Sequence, residues 1–191
     1  MALLTQKQIE AMGFAAVGKD IRISDRASFY GCSRISLGNH VRIDDFCILS
    51  SGTDGITIGS HIHIAAYTSL IGSGKINLQD YCGLSSRVSI YSSSDDYSGE
   101  FMTNPMVPAE YTNVTHAPVT IGRHVIIGSG SIVLPGVTLH EGVAIGALSL
   151  VSRDCAAFGI YAGRPAKRVK ERSRQLLKYE ARLQNMLSPQ S

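Results

Sequence analysis

Histidines, buried-type cysteines and a basic carboxyl-terminal stretch are the side chains of this sequence best suited to chemistry. His116 carries an imidazole whose ordinary pKa of about 6.5 suits proton transfer near neutrality, and it stands at the far end of a polar stretch, SSSDDYSGEFMTNPMVPAEYTNVTHA. His61 and His63, in GSHIHIAA, form a pair close enough to suggest a metal. Tetrahedral zinc needs further ligands, and no spacing among His40, His61, His63, His116 and His124 supplies a convincing set, although the five leave a site formally open. No metal is expected. Cys32, Cys47, Cys82 and Cys155 contain no CxxC pair, so neither a zinc ribbon nor a redox motif is indicated. From Arg164 to Arg182 eight basic residues stand against Glu171 and Glu180. The net charge of +3 is nevertheless too small to imply nucleic-acid binding by itself.

The elements that must carry these residues follow from an internal period. From Ile121 the chain divides into sixes: IGRHVI, IGSGSI, VLPGVT, LHEGVA, IGALSL, VSRDCA. A large aliphatic residue opens each block, and a smaller or β-branched residue follows four places later. The same rhythm runs earlier as VGKDIR and ISDRAS, LGNHVR and IDDFCI, IGSHIH and IAAYTS, LQDYCG and LSSRVS. SSGTDG and IGSGK interrupt it and are expected to bulge between faces. Side chains alternate along a strand, so short strands with Gly, Asn, Asp and Ser turns stack into a parallel solenoid filled by aliphatic columns. Glycine and β-branched residues exclude a helical reading. Three of the cysteines, Cys47, Cys82 and Cys155, fall on inward positions, where a reduced thiol packs well. Together with the absence of a signal-like amino terminus and of any long apolar run, this points to the cytoplasm and to no membrane span.

The blocks resemble the [Ile/Leu/Val]-Gly-x-x-[small]-x hexapeptide of the left-handed β-helix acyltransferases. Within that family the resemblance is nearest to the maltose, galactoside and xenobiotic acetyltransferase branch and to acetyltransferases of surface-polysaccharide sugar pathways. It covers roughly residues 17–170, and GIYAGRPAKRVKER looks like the ending that follows the last coil there. The resemblance implies an all-β solenoid, a left-handed parallel β-helix with a protruding loop and a carboxyl-terminal helix, assembled as a homotrimer with active sites between subunits. The implied organisation is an amino-terminal helical segment at 1–16, the β-helix at 17–163 with its inserted loop at 92–118, and a basic helical tail at 164–191. Thr5 and Gln8 form a capping box for the first helix, and Gly13 can terminate it.

The implied reaction moves an acetyl group from acetyl-CoA to a hydroxyl or amine of a sugar, including a nucleotide-linked sugar for polysaccharide biosynthesis. In the resembled branch a histidine after the strand that enters the loop is the base. Alignment through VSIYSSSDDYSG puts Asp95 at that place. Asp95 or its neighbour Asp96 can act as base if burial raises its pKa, His116 is the alternative, and an amine acceptor can instead be served by positioning alone. For the carrier, the resemblance places Ser129 and Ala147 along the pantetheine arm with backbone near Gly128, Ser152 and Arg153 at the next turn, and Lys167 and Lys170 toward the phosphates. Two other readings remain: a scaffold that has kept the coil and lost activity, and a hydratase like the γ-class carbonic anhydrases, which share the coil and bind zinc through three histidines.

Overall fold

A computed structural model describes residues 2–187. The chain winds into a left-handed parallel β-helix of about seven turns. Each turn lays one short strand on each of three faces. The first face stacks Ala16–Val17, Ile35–Leu37, Ile56–Ile58, Ile76–Leu78, Val119–Ile121 and Thr138–Leu139. The second begins with Ile21–Ile23, Val41–Ile43, Ile62–Ile64 and Gly83–Leu84, and continues through Ile126–Ile127, Ala144–Ile145 and Gly159–Ala162. The third stacks Ser28–Tyr30, Ile48–Ser51, Ser69–Gly72, Ser89–Tyr91, Ile132–Val133 and Leu150–Val151. No helix among the described residues is long and apolar enough to cross a membrane.

The hexapeptide explains this winding residue by residue. From Leu37 onward the aliphatic residue that opens each block is buried, and so is the smaller residue four places later from Val125 to Cys155. The buried serines of that second column are satisfied: the Ser131 and Ser149 hydroxyls donate to Gly146 O at 3.0 and 2.7 Å. A hydroxyl can therefore stand where a valine stands in other turns without an unpaired polar atom. The thiols of Cys47, Cys82 and Cys155 are buried as expected, and burial pushes them up to about 11, 12 and 11. Cys32 is half-buried. Because the thiolate is the reactive form, iodoacetamide at mildly alkaline pH should alkylate Cys32 in the folded protein and spare the other three. Peptide mass spectrometry before and after denaturation checks this.

The corners are built from left-handed turn residues, among them His40, His61, Tyr81 and His124. Left-handed φ costs a non-glycine residue about 1–2 kcal/mol. Here successive turns place ring over ring, with centroids 4.7, 5.0 and 4.9 Å apart along His40, His61, Tyr81 and His124. That spacing is the distance between neighbouring strands, so the coil itself aligns the column.

The ends depart from the repeat. Helix α1 (Gln6–Ala11) has Thr5 at its N-cap with the Gln8 capping box closed, and Gly13 follows at φ 70°. At the other end the expected helix does not begin after Arg164. The chain turns back instead, and Lys167–Glu171 pairs antiparallel with Gly159–Ala162. This covers the last parallel strand, which would otherwise be an open edge. Helix α2 comes later, at Leu176–Leu187, and is pinned to the coil by Glu180. The Glu180 carboxylate accepts hydrogen bonds from Arg123 and from His124 Nε2, the latter at 2.8 Å. Glu180→Ala is expected to cost about 2 kcal/mol of local stability. Limited proteolysis should then cut α2 sooner while the coil remains resistant.

Candidate functional site

The interruptions of the repeat build one wall of a cavity. SSGTDG and IGSGK do not bulge independently, because Gly52 N–H donates to Gly72 O at 2.9 Å and Asp54 N–H to Ser73 O at 3.0 Å. Ser73 N–H in turn donates to Ser93 Oγ at 2.8 Å. The extra residues of three successive turns are thereby stacked at the corner between the third and first faces. The long loop leaves at that corner and returns through an antiparallel pair, Ser93–Ser94 with Thr115–His116. Between loop and wall lies a cavity of about 560 Å³ lined by Ser51, Ser73, Ser93, Asp95, Asn104 and His116 and by apolar loop residues such as Pro105 and Val114. The structure therefore brings Asp95 and His116 to one cavity.

The polar residues differ in what they are free to do. The Asp96 carboxylate accepts hydrogen bonds from the Ser98 hydroxyl at 2.9 Å and from Gly99 N–H at 3.0 Å. Led by the Ser98 hydrogen bond, these hold its pKa below the usual carboxylate value, opposite to what a base needs. Asp96 organises the loop. His116 Nδ1 lies 2.7 Å from Ser93 Oγ. That oxygen also accepts from Ser73 N–H and has a second lone pair as well as its own proton, so the Ser93–His116 contact accommodates either imidazole tautomer. Asp95, exposed at the mouth of the same cavity, has no side-chain hydrogen bond among the described residues.

The residues expected around the carrier fall at two corners. Gly128, Ser129 and Ala147 lie where the second face turns into the third, with Gly128 packed against Ala147 and Leu148 N–H donating to Ser129 O at 2.9 Å. Sequence reading missed Ser85 and Ser86, which border a 330 Å³ hollow with Ser129. Their signal was available, as both occupy turn positions of the LSSRVS block. Lys167 and Lys170 stand three apart, a spacing that puts residues on opposite sides of a regular strand. A bulge at Val169 restores the phase: Lys167 pairs with Ala162 and Lys170 with Ile160, so both face outward with no acidic partner among the described residues. Ser152 and Arg153 do not join this group. They follow Leu150–Val151 and lie across the third face, at the corner from which the loop leaves.

His61 and His63 do not converge either. His61 stacks between His40 and Tyr81, whereas His63 Nε2 pairs with Asp44 Oδ2 at 2.8 Å. Arg42 Nε also donates to Asp44, at 2.7 Å. Partial burial works to raise the Asp44 pKa, but the hydrogen bonds from His63 and Arg42 outweigh it and leave the group below its usual value. A carboxyl lowered by folding stabilises the fold above its unfolded pKa and loses that contribution as pH falls through the folded one. The stability difference between the parent and Asp44→Asn should therefore be present at neutral pH and vanish in acid, as read from thermal unfolding across pH.

Comparison with known proteins places this geometry. Residues 118–153 match the family described as bacterial transferase hexapeptide (six repeats). The dTDP-4-amino-4,6-dideoxy-D-glucose acyltransferase of Escherichia coli is 59% identical over 181 residues, covering 95% of this chain and 94% of the relative. AntD, an N-acyltransferase from Bacillus cereus solved with dTDP and 3-hydroxybutyryl-CoA, superimposes with a TM-score of 0.93 at 44% identity, covering 97% of this chain and 98% of that one. A variant of AntD solved with dTDP-4-amino-4,6-dideoxyglucose and coenzyme A gives a TM-score of 0.94 at 41% identity, covering 97% of this chain and 99% of that one.

Proposed function

Because this chain belongs to the hexapeptide-repeat acyltransferase family, we propose that it transfers an acyl group from a coenzyme A thioester to the 4-amino group of a thymidine-diphosphate amino sugar. The observation that carries this reading is 59% identity across nearly the whole chain to an enzyme named for that acceptor. It is supported by the likeness to a structure holding both dTDP and an acyl-CoA. The acyl group we propose is acetyl, and the product an amide.

The chemistry fits an amine better than a hydroxyl. A sugar hydroxyl needs a strong base, and the hydrogen bonds of its own loop, led by that from Ser98, hold the Asp96 carboxyl below the usual carboxylate value. A neutral amine carries its own lone pair. Asp95 accepts a hydrogen bond from the amine and aims that lone pair at the thioester carbonyl. As the C–N bond forms and the C–S bond breaks, the thiolate leaves and takes up the proton shed by nitrogen. Backbone near Gly128 and Ser129 and the outward pair Lys167 and Lys170 suit the carrier, whose phosphates want amides and cations.

Within one chain Asp95 and Arg153 lie on one edge of the third face and Ser129 and Lys167 on the other. The two edges meet only if a second copy presents its edge to the first, which supports a homotrimer with sites between subunits. Tyr97 and Met106, 93% and 90% exposed at the loop, are then available to reach the neighbour. The use of a coenzyme A thioester and the three buried thiols support a cytoplasmic setting. Acetyl-CoA and 3-hydroxybutyryl-CoA should be compared in a thiol-release assay against dTDP-4-amino-4,6-dideoxyglucose and its 4-hydroxy counterpart. Turnover confined to the amino sugar and faster with acetyl-CoA is expected. Release with the hydroxy sugar alone would overturn the amine reading.

A further inference from the structure

Gly83 is unlike every other glycine of this chain. Each of the rest either adopts a left-handed φ or would drive an added Cβ into a close neighbour. Gly18, Gly38 and Gly59, for example, would meet atoms of the next turn at 2.3, 2.6 and 2.4 Å. At Gly83, which is an ordinary strand residue, a Cβ would find nothing nearer than Ile126 Cγ1 at 4.0 Å. Neither backbone geometry nor crowding within the chain calls for glycine there. A glycine inside a strand forfeits packing and backbone entropy, and often marks a place where something else approaches closely.

The position lies in a column of side chains on the outer side of the second face. Register places Arg22, Arg42 and His63 before Gly83, and Ile126, Ala144 and Ile160 after it. Only Gly83 interrupts the column with an empty place. Two hollows, of about 450 and 330 Å³, share His63, Gly83 and Ile126 and so meet over that gap. One extends to Tyr81, His124 and Arg172. The other extends to Ser85, Ser86 and Ser129.

We propose that Gly83 determines acceptor specificity: its missing side chain opens a trough in which a nucleoside-diphosphate sugar lies across the strand Gly83–Leu84. This rests on the acceptor reading given above. The amino sugar lies at the serine end, where hydroxyls can take its polar groups and where Ser129 adjoins the expected path of the carrier arm. The nucleoside diphosphate lies at the other end, where His124 is held by Glu180 but the Arg172 guanidinium, bonded to His124 O and Gly142 O through Nη1, and the His61 ring line the hollow and suit an anion. A side chain from a second copy would fill the same gap without these donors, and that alternative is an outcome of the test.

The test is calorimetric titration of dTDP and, separately, of coenzyme A into the parent and Gly83→Val, with thermal unfolding and light-scattering mass measured on both. Filling the trough should weaken dTDP binding by roughly tenfold or more. Coenzyme A affinity, melting temperature and mass should be maintained. Unchanged dTDP affinity in Gly83→Val overturns the proposal, and so does a lower mass, which would show that the gap receives a neighbouring subunit. If the parent itself binds coenzyme A but not dTDP, the nucleotide-sugar reading fails and this inference fails with it.

Discussion

Gly128→Ala should destabilise the protein by at least about 3 kcal/mol, although it adds a single methyl group at the surface of a turn. Its Cβ would lie 2.5 Å from Ala147 N, 2.8 Å from Ala147 Cα and 2.9 Å from Gly146 C. All three are backbone atoms of the next coil and cannot rotate away. Relief requires the two coils to separate, which would break the bond from Gly128 N–H to Ile145 O at 2.8 Å and disturb the Ile127–Ile145 contact. For a chain of this size, a loss of that order lowers the melting temperature by roughly 10 °C. Gly83→Ala is the matched control, since the same methyl group there meets open space. Calorimetric melting of the pair would separate a requirement of the fold from one imposed by something outside the chain. Equal melting temperatures for both variants would show that the coil spacing adapts.

Asp95→Ala should lower kcat/KM for the amino-sugar acceptor by about a hundredfold while the KM for the acyl-CoA stays near that of the parent. The reason is geometric. Asp95 lines the loop cavity with no side-chain hydrogen bond among the described residues, whereas the neighbouring Asp96 is spent on Ser98 and Gly99. Asp95→Asn, which keeps a carbonyl acceptor, should lose less than Asp95→Ala if the role is orientation of the amine. It should lose as much if the role is proton removal. His116→Ala is expected to act mainly through the loop, because its ring braces Ser93. Steady-state assays of the three variants with both substrates varied decide this. Activity of Asp95→Ala within about twofold of the parent would remove Asp95 from the machinery and leave the departing thiolate as the proton acceptor.

The period of six was legible because it is a local rule repeated. The aliphatic residue that opens a block and the small residue four places on must both point inward, and every such residue from Leu37 to Cys155 that the period marks is buried or turns the corner as expected. The capping box at Thr5 and Gln8 was legible for the same reason, since its partners lie three residues apart. Even Gly83 was visible in the sequence. The sixth residues of the blocks VGKDIR, LGNHVR, IGSHIH, LQDYCG, IGRHVI and LHEGVA form the outward column, and one of them is glycine.

What the sequence determined by itself was therefore the coil, its inward columns and the place where the loop breaks out. Tertiary structure decided the rest, because those outcomes depend on contacts between residues far apart in the chain. Residues 167–171 became a strand because an uncovered parallel edge lay beside them, although their composition suits a helix. Lys167 and Lys170 share a face because of a bulge whose register is set by the partner strand. Ser152 and Arg153, expected at the turn after Ser129 and Ala147, are set by the winding of the coil at the opposite edge of the third face. His116 is joined to Ser93, and Ser93 to Ser73, by hydrogen bonds between residues far apart in the chain. Period and capping are one-dimensional constraints, whereas edges, bulges and hydrogen bonds between turns are satisfied only once the coils have stacked.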